Sequence, residues 1–160
     1  MSKDWKEKSR PEDLQRLRGF RLMDDDFMSK CFEENIECTE LVLQIVLGRD
    51  DLKVEKVAIQ HQLKNLQGRS VIFDIYATDH AGKRYNVEIQ RADRGAGAKR
   101  ARYHSSLIDA NVTEPGEKLE NLVETYVIFI TERDVLGKGK PIYHIDRVIK
   151  ENGENFGDEA

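Results

Sequence analysis

Two carboxylates and an amide set the chemistry this chain could perform. Asp74, Glu88 and Gln90 lie in the run SVIFDIYATDHAGKRYNVEIQ, residues 70–90. Both halves of the run alternate apolar with polar residues, the period of half-buried strands. Between them stands Asp79-His80-Ala81-Gly82, and Asp and Gly supply hairpin turn chemistry. With His80 to Gly82 as the loop, Asp79 faces Lys83, Thr78 faces Arg84, Tyr76 faces Asn86, Asp74 faces Glu88 and Ile72 faces Gln90. Directly opposed residues hold their Cβ atoms roughly 4.5–5.5 Å apart. Two ionised carboxylates at that separation repel each other unless positive charge lies between them. Magnesium takes oxygen ligands at about 2.0–2.1 Å, so one ion could bridge Asp74 and Glu88. The same residues also fit a solvated polar face, and a register slip of one residue would part the acids.

In that register one face carries Asp74, Tyr76, Thr78, Arg84, Asn86, Glu88 and Gln90. The other carries Val71, Phe73, Ile75, Ala77, Tyr85, Val87 and Ile89, a core face. Residues 54–64 (VEKVAIQHQLK) read as a preceding strand with Val57, Ile59 and Leu63 on one side, giving a three-stranded meander. Further upstream, Asp24-Asp25-Asp26 precedes Phe27, Met28, Cys31 and Phe32, which signals a helix behind an acidic cap. A metal-binding reading of the triplet stays open beside the capping one. A second helix spans residues 39–47, with Leu41, Val42, Ile45 and Val46 inward, Gly48 as its stop and Glu40 in its first turn.

Residues 91–102 (RADRGAGAKRAR) hold five basic residues and one acid on a chain whose net charge is −4. They form either a loop with a solvated helix start or a phosphate-contacting patch beside the acids. A helix runs from Lys99 to about Ala110. Residues 125–131 (TYVIFIT) read as a strand buried on both faces, and residues 141–148 as a further, more polar strand. Residues 150–160 are polar and expected to fray.

The chain has 160 residues, the length of one domain. A charged lead-in over residues 1–20, with a short helix at 12–18, precedes a domain at 21–150 and a polar tail at 151–160. The acidic balance excludes binding to nucleic acid through net charge, so any such role needs a local patch. No apolar run approaches the roughly 20 residues of a membrane span, and no signal-peptide core is visible, which predicts a cytoplasmic protein without membrane contact. Cys31 and Cys38 lack CxxC spacing and His neighbours. They read as reduced thiols near one helix, not as a zinc site.

The succession of helix, three strands, helix and strand, with an Asp and a Glu-x-Gln on adjacent strands, resembles the PD-(D/E)XK nucleases. It is more closely similar to the PD-(D/E)XK family transposases, the recombination-promoting nuclease group. The residues that carry the resemblance are Phe27 to Phe32, FDI and NVEIQ in the central hairpin, KRARYHSSLID, and TYVIFITERDVLGKGKPIYHIDR. The resemblance implies an α/β fold with a restriction-endonuclease-like core, a mixed β-sheet flanked by helices in α-β-β-β-α-β order. It implies Asp74 and Glu88 as ligands of Mg2+ or Mn2+, with the Ile89 carbonyl as a third oxygen. Gln90 stands where many members place a catalytic Lys, Glu40 fits an auxiliary carboxylate position, and Arg102 and Tyr103 match the helix lining the site. Lys118 departs from a Tyr that often follows the glycine, and relatives continue with another strand where this chain ends, which suggests a short or truncated member.

The activity so implied is magnesium-dependent hydrolysis of DNA phosphodiesters, of mobile-element or recombination type, with DNA as partner and a homodimer as the form that cuts both strands. Arg91, Arg94, Lys99, Arg100 and Arg102 are the candidate phosphate contacts. A carboxyamide cannot act as a general base, so Gln90 is limited to orienting water or phosphate. The alternative is a nuclease-fold module of little or no turnover that binds DNA or protein, and RNA is not separable from DNA as substrate.

Overall fold

The computed structural model describes residues 11–19, 21, 23–65, 68–91 and 96–160. Among the described residues three helices come first: α1 (Pro11–Gly19), α2 (Asp25–Phe32) and α3 (Ile36–Leu47). Strands β1 (Val54–Leu63), β2 (Val71–Asp79) and β3 (Arg84–Gln90) follow, then α4 (Ala98–Val112), a 3-10 turn (Leu119–Asn121) and β4 (Thr125–Thr131). The sheet order is β1-β2-β3-β4. Its first two pairings are antiparallel and the third is parallel, so the sheet is mixed as expected. A parallel pair cannot be closed by a tight turn, and α4 provides the crossover from β3 to β4. The rest of the predicted lead-in, residues 1–10 and 20, lies outside the described residues.

The hairpin has the predicted register from the loop to Ile75↔Val87, while the expected pairs Asp74–Glu88 and Ile72–Gln90 are not part of the ladder. Tyr76 pairs with Asn86 and Thr78 with Arg84, and Asp79 N–H bonds the Lys83 carbonyl. Asp79 organises the loop, with one carboxylate oxygen accepting from the amides of Ala81 and Lys83 and the other from the Tyr85 hydroxyl. Gly82 takes φ +83°, the left-handed conformation such a loop places on glycine.

One feature of the sheet departs from strict alternation. Gln60 in β1 has φ +48°, and the β1–β2 pairing keeps its register through this point, from Ile59↔Ile75 to His61↔Phe73. Side chains before the break pack on the α2/α3 side, where Ile75, Ala77, Tyr85 and Val87 join Met28, Phe32 and Leu43, with Val57 and Ile59 against them. Beyond it, Leu63 and Phe73 pack on the opposite side with Leu107 and Ile108 of α4, and Val71 joins them. The expected single core face of Val71, Phe73 and Ile75 is therefore divided between two cores. A left-handed residue rotates the pleat, and Asp74, opposite Gln60, lies at the point where the faces exchange.

Other expectations are corrected as well. α3 starts three residues earlier than the sequence suggests, because the Asn35 side chain accepts from Cys38 N–H and caps it; Gly48, at φ +63°, ends it as predicted. Its inner face is Thr39 and Leu43, with Val42 and Leu47 partly buried, while Leu41 and Ile45 point outward. The run LVLQIVL is apolar around the whole helix, so its pattern could not choose a face. Asp24 occupies the N-cap position of α2 but accepts from Arg21 N–H instead of from the helix. Cys31 and Cys38 lie on two successive helices, both free and half-buried.

β4 is an edge strand, half-buried beyond Thr125, not enclosed on both faces. Residues 141–148 form no strand. Tyr143 instead donates its hydroxyl to Asp134 and accepts from the amides of Lys138 and Lys140, which bends the segment around a side chain and leaves no ladder. The last residues turn back instead of fraying: Val148 bridges Asn155, Arg147 pairs with Asp158, and the Glu159 carbonyl accepts from Thr125 N–H at the start of β4.

A carboxylate pair where two strands part

The β2–β3 ladder ends at Ile75↔Val87, one pair short of Asp74 and Glu88. Beyond that pair the Asp74 carboxylate takes the place of a backbone acceptor, with Oδ2 accepting from Ile89 N–H at 2.8 Å. Its Oδ1 faces the Gln60 amide at 3.5 Å. A strand residue directs its N–H and C=O to the same side, so the Ile89 carbonyl also faces the gap toward β2. The Asp74 carboxylate and the Ile89 carbonyl are thereby turned toward one opening.

Glu88 is fully buried, on the face covered by α4. The polar face read from the sequence is thus no solvated surface near β3, since Asn86 is fully buried beside it. Asn86 Nδ2 donates to Glu88 Oε1 at 2.8 Å, and Asn86 Oδ1 bonds His104 Nδ1 at 3.0 Å. Arg100 Nε donates to His104 Nε2 at 3.3 Å, and Arg100 Nη2 donates to Glu88 Oε2 at 2.6 Å. The four side chains close a ring, and its directions fix the proton of His104 on Nδ1. Arg100 Nη1 also reaches Gln90 Oε1 at 3.4 Å.

Burial pushes the Glu88 carboxyl above the usual carboxylate range; the Asp74 charge adds to this, while the Asn86 hydrogen bond and the Arg100 charge oppose it. Burial, helped by the charges of Arg100 and Arg69, holds His104 down to about 4, so the imidazole is neutral. With both ring nitrogens engaged and the ring 2% exposed, His104 is not placed to take a proton from water. Its role is structural within the ring.

The other candidates fall elsewhere. Glu40 accepts from Lys53 Nζ at 2.8 Å and from Val54 N–H at 3.0 Å, and the lysine holds its carboxyl below the usual range. Val54 pairs with Asp79 at the hairpin end, five residues along β2 from Asp74, or roughly 16 Å at the rise of a strand. Glu40 therefore anchors the start of β1. Arg91 donates to the Met23 carbonyl and pairs with Asp24, which fastens the entry of α2 to the end of β3. Tyr103 donates to the Arg69 carbonyl and accepts from Asn65 Nδ2, joining α4 to the β1–β2 connection. Lys99 and Arg102 are exposed on the first turns of α4, and Arg94 lies outside the described residues.

Sequence reasoning missed Asn86 and His104 as partners of Glu88. The signal was present in α4, where Arg100, His104, Leu107 and Ile108 recur at helical spacing on one face. That stripe sets an arginine and a histidine in line with the apolar residues that must face the sheet.

No group of three or more His, Cys, Asp and Glu side chains that could hold a metal occurs among the described residues. The donors fit a hard divalent cation nonetheless, because magnesium is commonly held by one or two carboxylates and completes its shell with water and phosphate oxygens. No described helix is long and apolar enough to cross a membrane. Comparison with curated proteins and with solved structures gave no match. The sequence does match the PD-(D/E)XK nuclease family transposases over residues 31–159, which include both carboxylates, the ring around Glu88 and all four strands. The chain belongs to that family.

Proposed function

We propose that this protein is a magnesium- or manganese-dependent DNA endonuclease of the transposase, recombination-promoting type. The observation that supports the reading is that Asp74 and Glu88 follow directly on the last β2–β3 ladder pair, where the strands separate, with the Asp74 charge acting on Glu88 and the Ile89 amide on Asp74. Asp74 and Glu88 would hold the ion, with the Ile89 carbonyl as third ligand. When bound, such an ion supplies an activated water and a clamp on a phosphate oxygen.

The chain's own residues do the rest. Arg100 neutralises charge beside Glu88 and sets Gln90, whose Oε1 is committed to the guanidinium. The Gln90 amide nitrogen is then the end available to donate to water or phosphate, and it accepts no proton. Asn86 and His104 keep Glu88 Oε1 in place, so the carboxylate does not rotate away from Asp74. Lys99 and Arg102, exposed on α4, offer contacts to the DNA backbone.

A plasmid-nicking assay with magnesium, manganese or EDTA, run beside Asp74→Ala and Glu88→Ala, tests the reading. The expected result is metal-dependent nicking that both substitutions abolish. Cleavage by Asp74→Ala equal to wild type would refute it.

A further inference from the structure

The two oxygens of Glu88 are served by groups of different character. Oε1 is held from inside by Asn86, itself fully buried and backed by His104. Oε2 is held by Arg100, whose side chain is 38% exposed while that of Glu88 is 1% exposed. The guanidinium therefore stands between the buried carboxylate and solvent. Its carbon lies 5.8 Å from the centre of the Phe129 ring, and the residue sits in the first turn of α4. An ionised carboxylate buried without a partner is unfavourable by several kcal/mol, so Glu88 in its ionised form needs a cation beside it, which Arg100 supplies. The fork that matches a carboxylate also matches a phosphate.

We propose that Arg100 is an exchangeable counter-ion, which occupies Glu88 Oε2 in the free protein and passes to a DNA phosphate when a divalent cation claims that oxygen. This rests on the nuclease reading of the site and adds to it an order of events and a coupling. Because Arg100 and the cation compete for one oxygen, cation binding releases a phosphate ligand, and by linkage DNA binding must strengthen cation binding to the same degree. The Phe129 ring offers the guanidinium an apolar platform on which to turn without losing contact.

The test is manganese titration calorimetry on the full chain without DNA, for wild type, Arg100→Gln, Arg100→Lys and Asp74→Ala. Anisotropy of a labelled DNA duplex accompanies it, with and without calcium. Loss of a neighbouring positive charge is expected to tighten manganese binding by Arg100→Gln about tenfold. Arg100→Lys keeps the charge and should stay within about twofold of wild type. The gain in DNA affinity that calcium gives the wild type should vanish in Arg100→Gln and shrink in Arg100→Lys, which lacks the fork. Manganese binding by Arg100→Gln that is equal to or weaker than wild type, with Asp74→Ala showing none, would make Arg100 a fixed prop and overturn the proposal alone. Absence of manganese binding by the wild type would overturn the metal reading and this proposal together. Should Arg100→Gln fail to fold by circular dichroism, Arg100→Lys decides, and loss of its manganese binding refutes the exchange.

Discussion

Asn86→Ala is the sharpest probe of how the site is held. The side chain is fully buried and makes two hydrogen bonds that alanine cannot replace. Losing the bond to the ionised Glu88 costs about 1.5–3 kcal/mol, and leaving the His104 Nδ1 proton unpaired costs about 1–3 kcal/mol more. A total of about 4 kcal/mol is a large share of the roughly 5–15 kcal/mol that stabilises a domain. With a urea slope of about 2 kcal/mol/M, the midpoint should fall by about 2 M. The loss also depends on pH. The folded-state pKa of Glu88 is raised by burial, so its ionised form weighs against the fold once pH rises above the ordinary carboxylate value. Asn86 opposes that rise, and removing it raises the folded value further, so the deficit should be larger at pH 8 than at pH 5. Urea unfolding followed by far-ultraviolet circular dichroism at both values reads this directly. A deficit below about 1 kcal/mol at pH 8 would refute the hydrogen-bond assignment, and an equal deficit at both values would reduce Asn86 to a packing residue.

Other outcomes follow from the same geometry. His104 should show no ring titration in proton NMR until pH approaches about 4. Because its folded value is depressed, the associated stability is complete above its unfolded value of about 6.5 and declines as pH falls toward the folded one, by something on the order of 3 kcal/mol. A titration midpoint near the ordinary histidine value would contradict its burial. Tyr103→Phe removes the bonds to Arg69 and Asn65 and should cost about 1 kcal/mol, with manganese binding unchanged by calorimetry; altered binding would return Tyr103 to the site. Phe32→Ala empties the centre of the α2/α3 core and should cost about 3–5 kcal/mol in thermal or urea unfolding. A cost under about 1 kcal/mol would mean that the core refills.

The hairpin was legible because two local signals agreed: Asp79 and Gly82 specify the loop, and alternation sets the faces on either side. The same spacing from the loop singled out Asp74 and Glu88 as candidates, but it carried the alternation one pair further than the ladder runs. Their surroundings were not legible. A glutamate next to polar residues on a strand looks solvated until a helix from elsewhere in the chain covers it, and the cover here is the Arg100 to Ile108 face of α4. Glu40 misled for the converse reason. Its place in a first turn is compatible with many roles, and only the path of β1 shows that it meets Lys53 and Val54 at the far end of the sheet. The apolar run of residues 41–47 fixed a helix but not its orientation, because every side of it is greasy.

The left-handed residue at Gln60 has a consequence for how this domain can change. Because β1 and β2 invert phase at the same level, the two irregularities cancel in register and act as a single paired defect. A one-residue deletion in β1 alone would send His61 and Leu63 to the wrong layer against Phe73, and would be tolerated only with a matching deletion in β2. Asp74 is the residue such a deletion would remove or displace. A substitution that merely relieves the backbone is a different matter: Gln60→Gly accepts φ +48° without the roughly 1–2 kcal/mol that a side chain costs there. The inversion thus ties the site's aspartate to the architecture of both cores, so the strand pair can lengthen, shorten or straighten only as a unit.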